Sequence, residues 1–244
     1  MRTDHEIPDA DHVFDGGNMD CGSGLILLIR QNMLEVTAGG ILEIRSSEPT
    51  VLTELPPWCR MVGHEHILSL EYERGQWRHF VKRGTATEKE KSGLDADKVK
   101  VAEYKWSLRA RRTNITTIYS RNFSWTSDQS ISFDRQGDLP TALEQFFGSI
   151  LSDLIGCFVS QCSQRNIQLD DLEATLHGTL NDPIAAIGGL RGDASVKEIK
   201  VTAFASSSNP ENDIRDAWDS SCRISPVLQT VTKACHVDLR LVLI

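Results

Sequence analysis

Between Leu139 and Arg165, apolar residues recur at positions 143, 146, 147, 150, 151, 154, 155, 158, 159 and 162. That spacing is helical along the whole stretch. The apolar stripe is too wide for a helix lying on a surface, so it predicts a long helix buried on most of its sides. Such a helix needs partners, and the flanking sequence supplies them. Before it, alternation at Val99-Val101, Tyr104-Trp106-Leu108, Ile115 to Tyr119 and Ile131 to Phe133 predicts strands. After it, Leu172 to Leu180 and Val196 to Phe204 predict two more, and Val237, Leu239, Leu241 and Leu243 alternate in a last one. Pro210 opens a helix through Ile214 and Trp218, and Ser225-Pro226 offers an N-cap and first-turn proline for a short further helix. Residues 101–244 therefore form an α+β domain.

The segment from Gly84 to Lys100 has four basic and four acidic residues and no apolar periodicity, which predicts a solvated linker. Ahead of it, residues 1–83 show a strand at His12 to Phe14, a helix from Ser23 to Met33, and a strand at Ile41 to Ile44. A second helix begins after Pro49 and is expected to break at Pro56-Pro57. Ile67 to Tyr72 and Gln76 to Val81 then form a hairpin around Arg74-Gly75. The order predicts a small two-layer α/β sandwich with two helices on one face of the sheet.

Charge narrows the function. Residues 1–83 carry 8 basic against 13 acidic residues and residues 101–244 carry 14 against 17, so neither domain has the positive surface of a phosphate-backbone binder. No nucleic-acid partner is expected. Nor is a membrane partner, because the longest uninterrupted apolar run, Leu25 to Ile29, is too short to cross a bilayer. The acidic start, Met1 to Ala10, has no apolar core of a signal peptide, so a cytoplasmic location with reduced thiols is expected. The six cysteines include no CxxC pair, and neither a metal nor a cofactor is implied. His64-x-His66 fits ordinary loop polarity better than a pair of metal ligands. The exposed pattern of Arg109, Arg111 and Arg112 fits a solvated or dimer-contacting strand face.

The stretch Asp15-Gly16-Gly17-Asn18-Met19-Asp20-Cys21-Gly22-Ser23-Gly24 falls between the first strand and the first helix. Gly40-Ile41-Leu42-Glu43-Ile44, Glu48-Pro49, Pro56-Pro57-Trp58-Cys59 and Gly63-His64-Glu65 follow in order. With these elements, residues 12 to 83 resemble the TusA/SirA sulfur-carrier family, although Gly22 and Gly24 stand where the family has prolines. The resemblance implies that Cys21 accepts and passes on sulfane sulfur, with a sulfur-donor or thiol partner protein. A thiol just before a helix N-terminus would be favoured as a thiolate, while Asp20 beside it acts the other way. Cys59, after Trp58, is expected to pack.

Residues 104 to 244 resemble the OsmC/Ohr family. The matching stretches are Leu139-Pro140-Thr141-Ala142-Leu143-Glu144, Arg165-Asn166-Ile167-Gln168-Leu169, Leu172-Glu173-Ala174, Gly188-Gly189-Leu190 and Ser221-Cys222-Arg223-Ile224-Ser225. The resemblance implies an intertwined homodimer and, in hydroperoxide-reducing members, a peroxidatic cysteine in the long helix with a resolving partner. Glu144 matches the family glutamate and Cys222 the resolving cysteine. The peroxidatic position falls on Asp153, which cannot form a sulfenic acid. Cys157 lies one turn later on the same helix face. Arg121 and Arg135 are candidates for the orienting arginine. Two carboxylates in one pocket, Glu144 and Asp153, would push one of the pair to titrate high.

The chain is thus expected to be a two-domain α+β fusion that handles sulfur or redox equivalents through thiols. Cys21, Glu144, Asp153, Cys157 and Cys222 are its candidate site residues. Sulfurtransferase activity is compatible with this set, and Asp153 argues against a peroxidase. A non-catalytic binding or scaffold protein is the competing reading.

Overall fold

In a computed structural model, residues 7–85, 87–133, 137–189 and 191–244 are described. The chain divides into two compact units. One takes Met1–Tyr104 with Ser163–Asn166, and the other takes Lys105–Cys162 and Ile167–Ile244.

The first unit is an α/β sandwich. Its elements run β1 (His12–Asp15), a π-helical turn (Cys21–Leu25), α1 (Ile26–Met33), β2 (Ile41–Ser46), α2 (Val51–Val62), β3 (Glu65–Glu73), β4 (Gln76–Lys82) and α3 (Thr87–Ala102). The strand order is β1-β2-β4-β3, with β1 parallel to β2 and the other pairs antiparallel. Alternation on β2 sends Leu42 and Ile44 toward the helices, where they join Leu25, Ile29, Val51, Leu55 and Val81 in the core. Glu43 points to the opposite face and is gripped by Arg45 at 2.8 Å and Arg78 at 2.6 Å.

Two expectations fail here. Pro56 and Pro57 do not break α2, which runs through both. The buried residues Val51, Leu55, Trp58 and Cys59 lie on one stripe, and that stripe holds the helix. The carbonyls left without donors belong to Leu52 and Thr53, on the more exposed side, where water can serve them. From Thr87 to Ala102, most of the expected linker and the expected strand at Val99-Val101 are instead one helix, α3. Glu, Lys and Ala favour helix without any apolar stripe. One buried leucine, Leu94, and an Arg30–Asp97 ion pair at 3.1 Å dock it on α1. The first compact unit therefore reaches residue 104 rather than 83.

The second unit opens with a meander, β5 (Leu108–Arg112), β6 (Thr116–Ser120) and β7 (Phe123–Ser127). Ile131 to Phe133, expected as a strand, lies outside any element, and β7 is the strand that pairs with β6. The long helix α4 (Ala142–Gln164) follows, then β8 (Asp171–Leu180), α5 (Pro183–Ala186), β9 (Val196–Ser206), α6 (Glu211–Ile224), α7 (Pro226–Val231) and β10 (His236–Leu243). The second sheet has the order β10-β9-β8, with β10 parallel and β8 antiparallel to β9. Ile199, Val201, Ala203 and Ala205 alternate inward from β9 and meet Ile150, Leu154, Phe158 and Cys162 of α4. By length and composition α4 could span a bilayer, but this row at i, i+4 packs it on the sheet. In a single copy only that row is buried, not most of its sides as the wide apolar stripe predicts.

Gly178 shows how tightly α4 sits on the sheet. A Cβ there would stand 2.3 Å from the Phe147 ring. We expect Gly178→Ala to destabilise the second unit by about 1–2 kcal/mol, because the ring must leave its rotamer or lift off the strand. A denaturant midpoint unchanged from the natural protein would refute this.

Candidate functional site

Cys21 opens the π-helical turn that leads into α1, so the regular helix begins only at Ile26. Gly24 holds the turn with φ 111, a conformation that a side chain would strain. The half-buried thiol meets Glu54 of α2 in a hydrogen bond and also feels Asp20 and Glu48. Burial, then Glu54 and the two further carboxylates, push Cys21 up to about 12. The helix-terminus effect expected for a carrier thiol is thus outweighed by desolvation and negative charge. Cys59 is fully buried and is raised to about 12 by burial, in keeping with a packing role.

In the second unit, α4 and α6 carry the other candidates. Asp153 accepts hydrogen bonds from the Ser225 hydroxyl and, at 3.0 Å, from the Val227 amide. Ser225 in turn caps α7 by accepting from the Leu228 amide at 3.2 Å. The carboxylate at the expected peroxidatic position is therefore a latch between α4 and the α6–α7 turn. Cys157 lies one turn further along α4, and burial followed by the Asp153 charge pushes its thiol up. Cys222 is raised to about 11 by burial and Asp219, with Arg223 opposing and Cys157 adding to the rise. Cys222 thus feels Cys157 from the neighbouring helix, and none of the six cysteines is in a disulfide.

Glu144 is not part of this group. Its carboxylate accepts from the Thr141 amide at 2.7 Å and the Thr141 hydroxyl at 2.8 Å, and the Glu144 amide returns a bond to that hydroxyl at 3.2 Å. This is a capping box at the start of α4. The Thr141 bonds hold the exposed Glu144 below its ordinary value, the reverse of the expected rise. Nine residues are two and a half helical turns, so Glu144 and Asp153 lie on opposite sides of α4 and about 13 Å apart along it. Of the two candidate arginines, Arg121 stacks over Phe123 at 5.4 Å in the β6–β7 turn, and Arg135 lies outside the described residues. Arg223, the cation that acts on Cys222, was not anticipated, although its place next to the thiol in sequence was the signal.

Sequence reasoning also missed His79. It is fully buried on β4, and its Nδ1 shares a 2.7 Å hydrogen bond with Ser69, whose hydroxyl meets His66 Nε2 at 2.8 Å. The inward column Trp77, His79, Val81 was the available signal. Among the described residues no cluster of three or more His, Cys, Asp or Glu side chains could hold a metal ion.

No family model matches the chain. The N-terminal third is similar to sulfur carrier protein TusA of Pseudomonas putida strain GB-1, with 25% identity over 76 residues, 31% of this chain and 90% of that protein. The TusA of Pseudomonas entomophila strain L48 is 23% identical over 73 residues, 30% of this chain and 89% of its own length. Among solved structures, an OsmC-like protein from Mycoplasma pneumoniae superposes with a TM-score of 0.50 at 16% identity, covering 58% of this chain and 99% of that one. The chain thus resembles TusA in its N-terminal part and has an OsmC-like fold over more than half of its length.

Proposed function

We propose that this protein handles sulfur or redox equivalents through thiols, with Cys157 and Cys222 as an exchange pair and Cys21 as a carrier site. The observation that carries this reading is the placement of two half-buried thiols, Cys157 and Cys222, on α4 and α6, helices that pack together through Phe158 and Trp218, with Cys222 feeling Cys157. The similarity of the N-terminal part to TusA sulfur carriers supports the role of Cys21. Hydroperoxide turnover is not expected. An aspartate stands at the peroxidatic position, and Cys157 is raised by burial and by that aspartate. Mass spectrometry after incubation with a cysteine desulfurase plus cysteine, and separately with a small-molecule disulfide, tests the proposal. It predicts one added sulfur at Cys21 and loss of two hydrogens at Cys157 plus Cys222. A spectrum showing neither of these two changes would overturn the proposal. Steady-state turnover of an organic hydroperoxide, if it vanished in Cys157→Ser, would instead establish a peroxidase with a displaced thiol.

The competing reading, a scaffold without thiol chemistry, is favoured by one observation: three carboxylates surround Cys21.

We also propose that the second unit forms a homodimer. Only 17% of the apolar core stretch of α4 is buried in a single copy, and Phe146 and Val159 remain 38% exposed. Leu108, Phe123 and Trp125 share one uncovered face of the meander at 56%, 62% and 40% exposure. Patches of this kind are covered in stable proteins. Sedimentation at micromolar concentration should give a dimer mass, and a lone monomer would refute this.

A further inference from the structure

We propose that Asp153 is a positioning residue for the Cys157–Cys222 pair, its carboxylate fixing the register in which the two thiols face each other. This rests on the exchange-pair reading above. From the latch, where Asp153 holds the Ser225 hydroxyl and the Val227 amide, one turn forward along α4 leads to Cys157. One turn back along α6 leads to Cys222. Still further along both helices, Phe158 meets Trp218 edge to face, with ring centroids 5.3 Å apart. Latch, thiols and rings therefore succeed one another along a helix pair in which residue numbers rise on α4 as they fall on α6. The packed rings secure the far end, and Asp153 secures the near end.

Cys222 needs such help. It precedes the C-terminal end of α6 by two residues, and its carbonyl accepts from the Gln229 side chain of α7 at 2.8 Å. The strand of chain carrying Cys222 is thus tied on one side to α7, whose first turn is itself held by Asp153 and Ser225. Without the latch, the α6–α7 corner is held against α4 only by non-directional apolar packing, including Leu228 and Val231, which permits a small shift. A disulfide requires Cα atoms within ~7 Å, so a small shift separates the thiols.

The chemical step is thiol–disulfide exchange with a small-molecule disulfide, RSSR. One protein thiolate attacks it, forming a mixed disulfide and releasing RS⁻. The second thiolate then displaces the remaining RS⁻ and closes the Cys157–Cys222 bond. RSSR gains two electrons, the protein thiols lose two electrons and two protons, and two RSH result.

The test is the equilibrium constant of the Cys157–Cys222 disulfide against a glutathione redox buffer, read by peptide mapping in the full chain. Asp153→Ala, which deletes the latch, should lower the constant by about tenfold or more. Ser225→Ala should act in the same direction with a smaller loss. Asp153→Asn keeps an oxygen able to accept both bonds and should restore the constant to within about threefold, while speeding alkylation of Cys157 by removing the neighbouring charge. Far-ultraviolet circular dichroism of each variant identifies any that fails to fold. Equal constants for the natural protein, Asp153→Ala and Asp153→Asn would overturn the positioning role while leaving the exchange pair intact. Absence of a Cys157–Cys222 disulfide in the natural protein at every buffer ratio would overturn the exchange pair itself.

Discussion

Cys21 should alkylate at pH 7 roughly 30- to 60-fold more slowly than an ordinary cysteine, against the acceleration normally associated with a carrier thiol. Its thiol is pushed from 9.0 up to about 12 by burial first, then by the hydrogen bond and charge of Glu54, and by Asp20 and Glu48. The ionised fraction at neutral pH falls about a thousandfold across that interval. Part of the loss is returned, because a more basic thiolate is a better nucleophile, with a Brønsted slope of about 0.4–0.5. The smaller net factor is what iodoacetamide labelling would read. Glu54→Gln removes one carboxylate but leaves the burial, so it should recover only about fivefold. Labelling of Cys21 at the rate of free cysteine would show that the carboxylates do not govern the thiol.

That measurement also separates the two functional readings when it is paired with sulfur loading. A carrier can have a resting thiol that is protonated, provided its donor meets it and still transfers sulfur. A scaffold has no such event. Slow alkylation with persulfide formation at Cys21 supports the carrier, and slow alkylation with no loading by a desulfurase supports the scaffold. Cys59 provides the internal control, being just as basic but fully buried, so that it should label after Cys21 through access alone.

Much of the architecture was legible because it is written in periodicity. The row 150, 154, 158, 162 of α4, the alternation of β9 and β10, and the cap at Ser225-Pro226 appear where side-chain spacing demands them. The failures share a cause. In α3 the helix is encoded by propensity and one leucine, so a search for stripes finds nothing at Glu88 to Lys100. At Pro56-Pro57 a local rule was overruled by the buried stripe of α2. The site was less legible than the fold. Motif matching singled out Cys21, Asp153 and Cys222 as candidates, yet the groups that surround them are distant in sequence. Glu54 approaches Cys21 from another helix, and Ser225 and Val227 reach Asp153 from more than 70 residues away. Glu144 was misplaced for a different reason. Thr141-x-x-Glu144 resembles the family pattern and is equally a capping box, and in this chain the side chain serves the latter purpose.

The first unit should lose roughly 3 kcal/mol of stability as pH falls from 6.5 to 4, through His79. Burial, then the neighbouring His66, lower His79 from 6.5 to about 4. The sign follows from proton counts. Below 6.5 the unfolded chain binds a proton at this residue, whereas the native chain does not until about 4. Protonation therefore favours unfolding through that window, and the contribution of His79 is fully present above 6.5 and exhausted below 4. His66 is lowered in the same direction by its burial and by Arg60, so it adds to the slope. Glu43 acts lower down. Burial raises it, but bonds from Arg78 and Arg45 outweigh that and hold it below 4.5, so its contribution is lost only beneath that value. Between 6.5 and 4.5 the two histidines lower stability as pH falls, and Asp15, whose carboxyl burial raises, acts in the opposite sense from the acid end of the interval. Denaturant titrations at several pH values across it should show the midpoint falling for the natural protein, with hydrogen exchange at β4 assigning the loss to the first unit. His79→Gln cannot titrate there and should keep only the weaker pH dependence of the remaining groups, His66 and Asp15 among them, whatever its absolute stability. If the natural protein and His79→Gln lose stability in parallel between pH 6.5 and 4.5, the imidazole in the core is not the group that binds the proton.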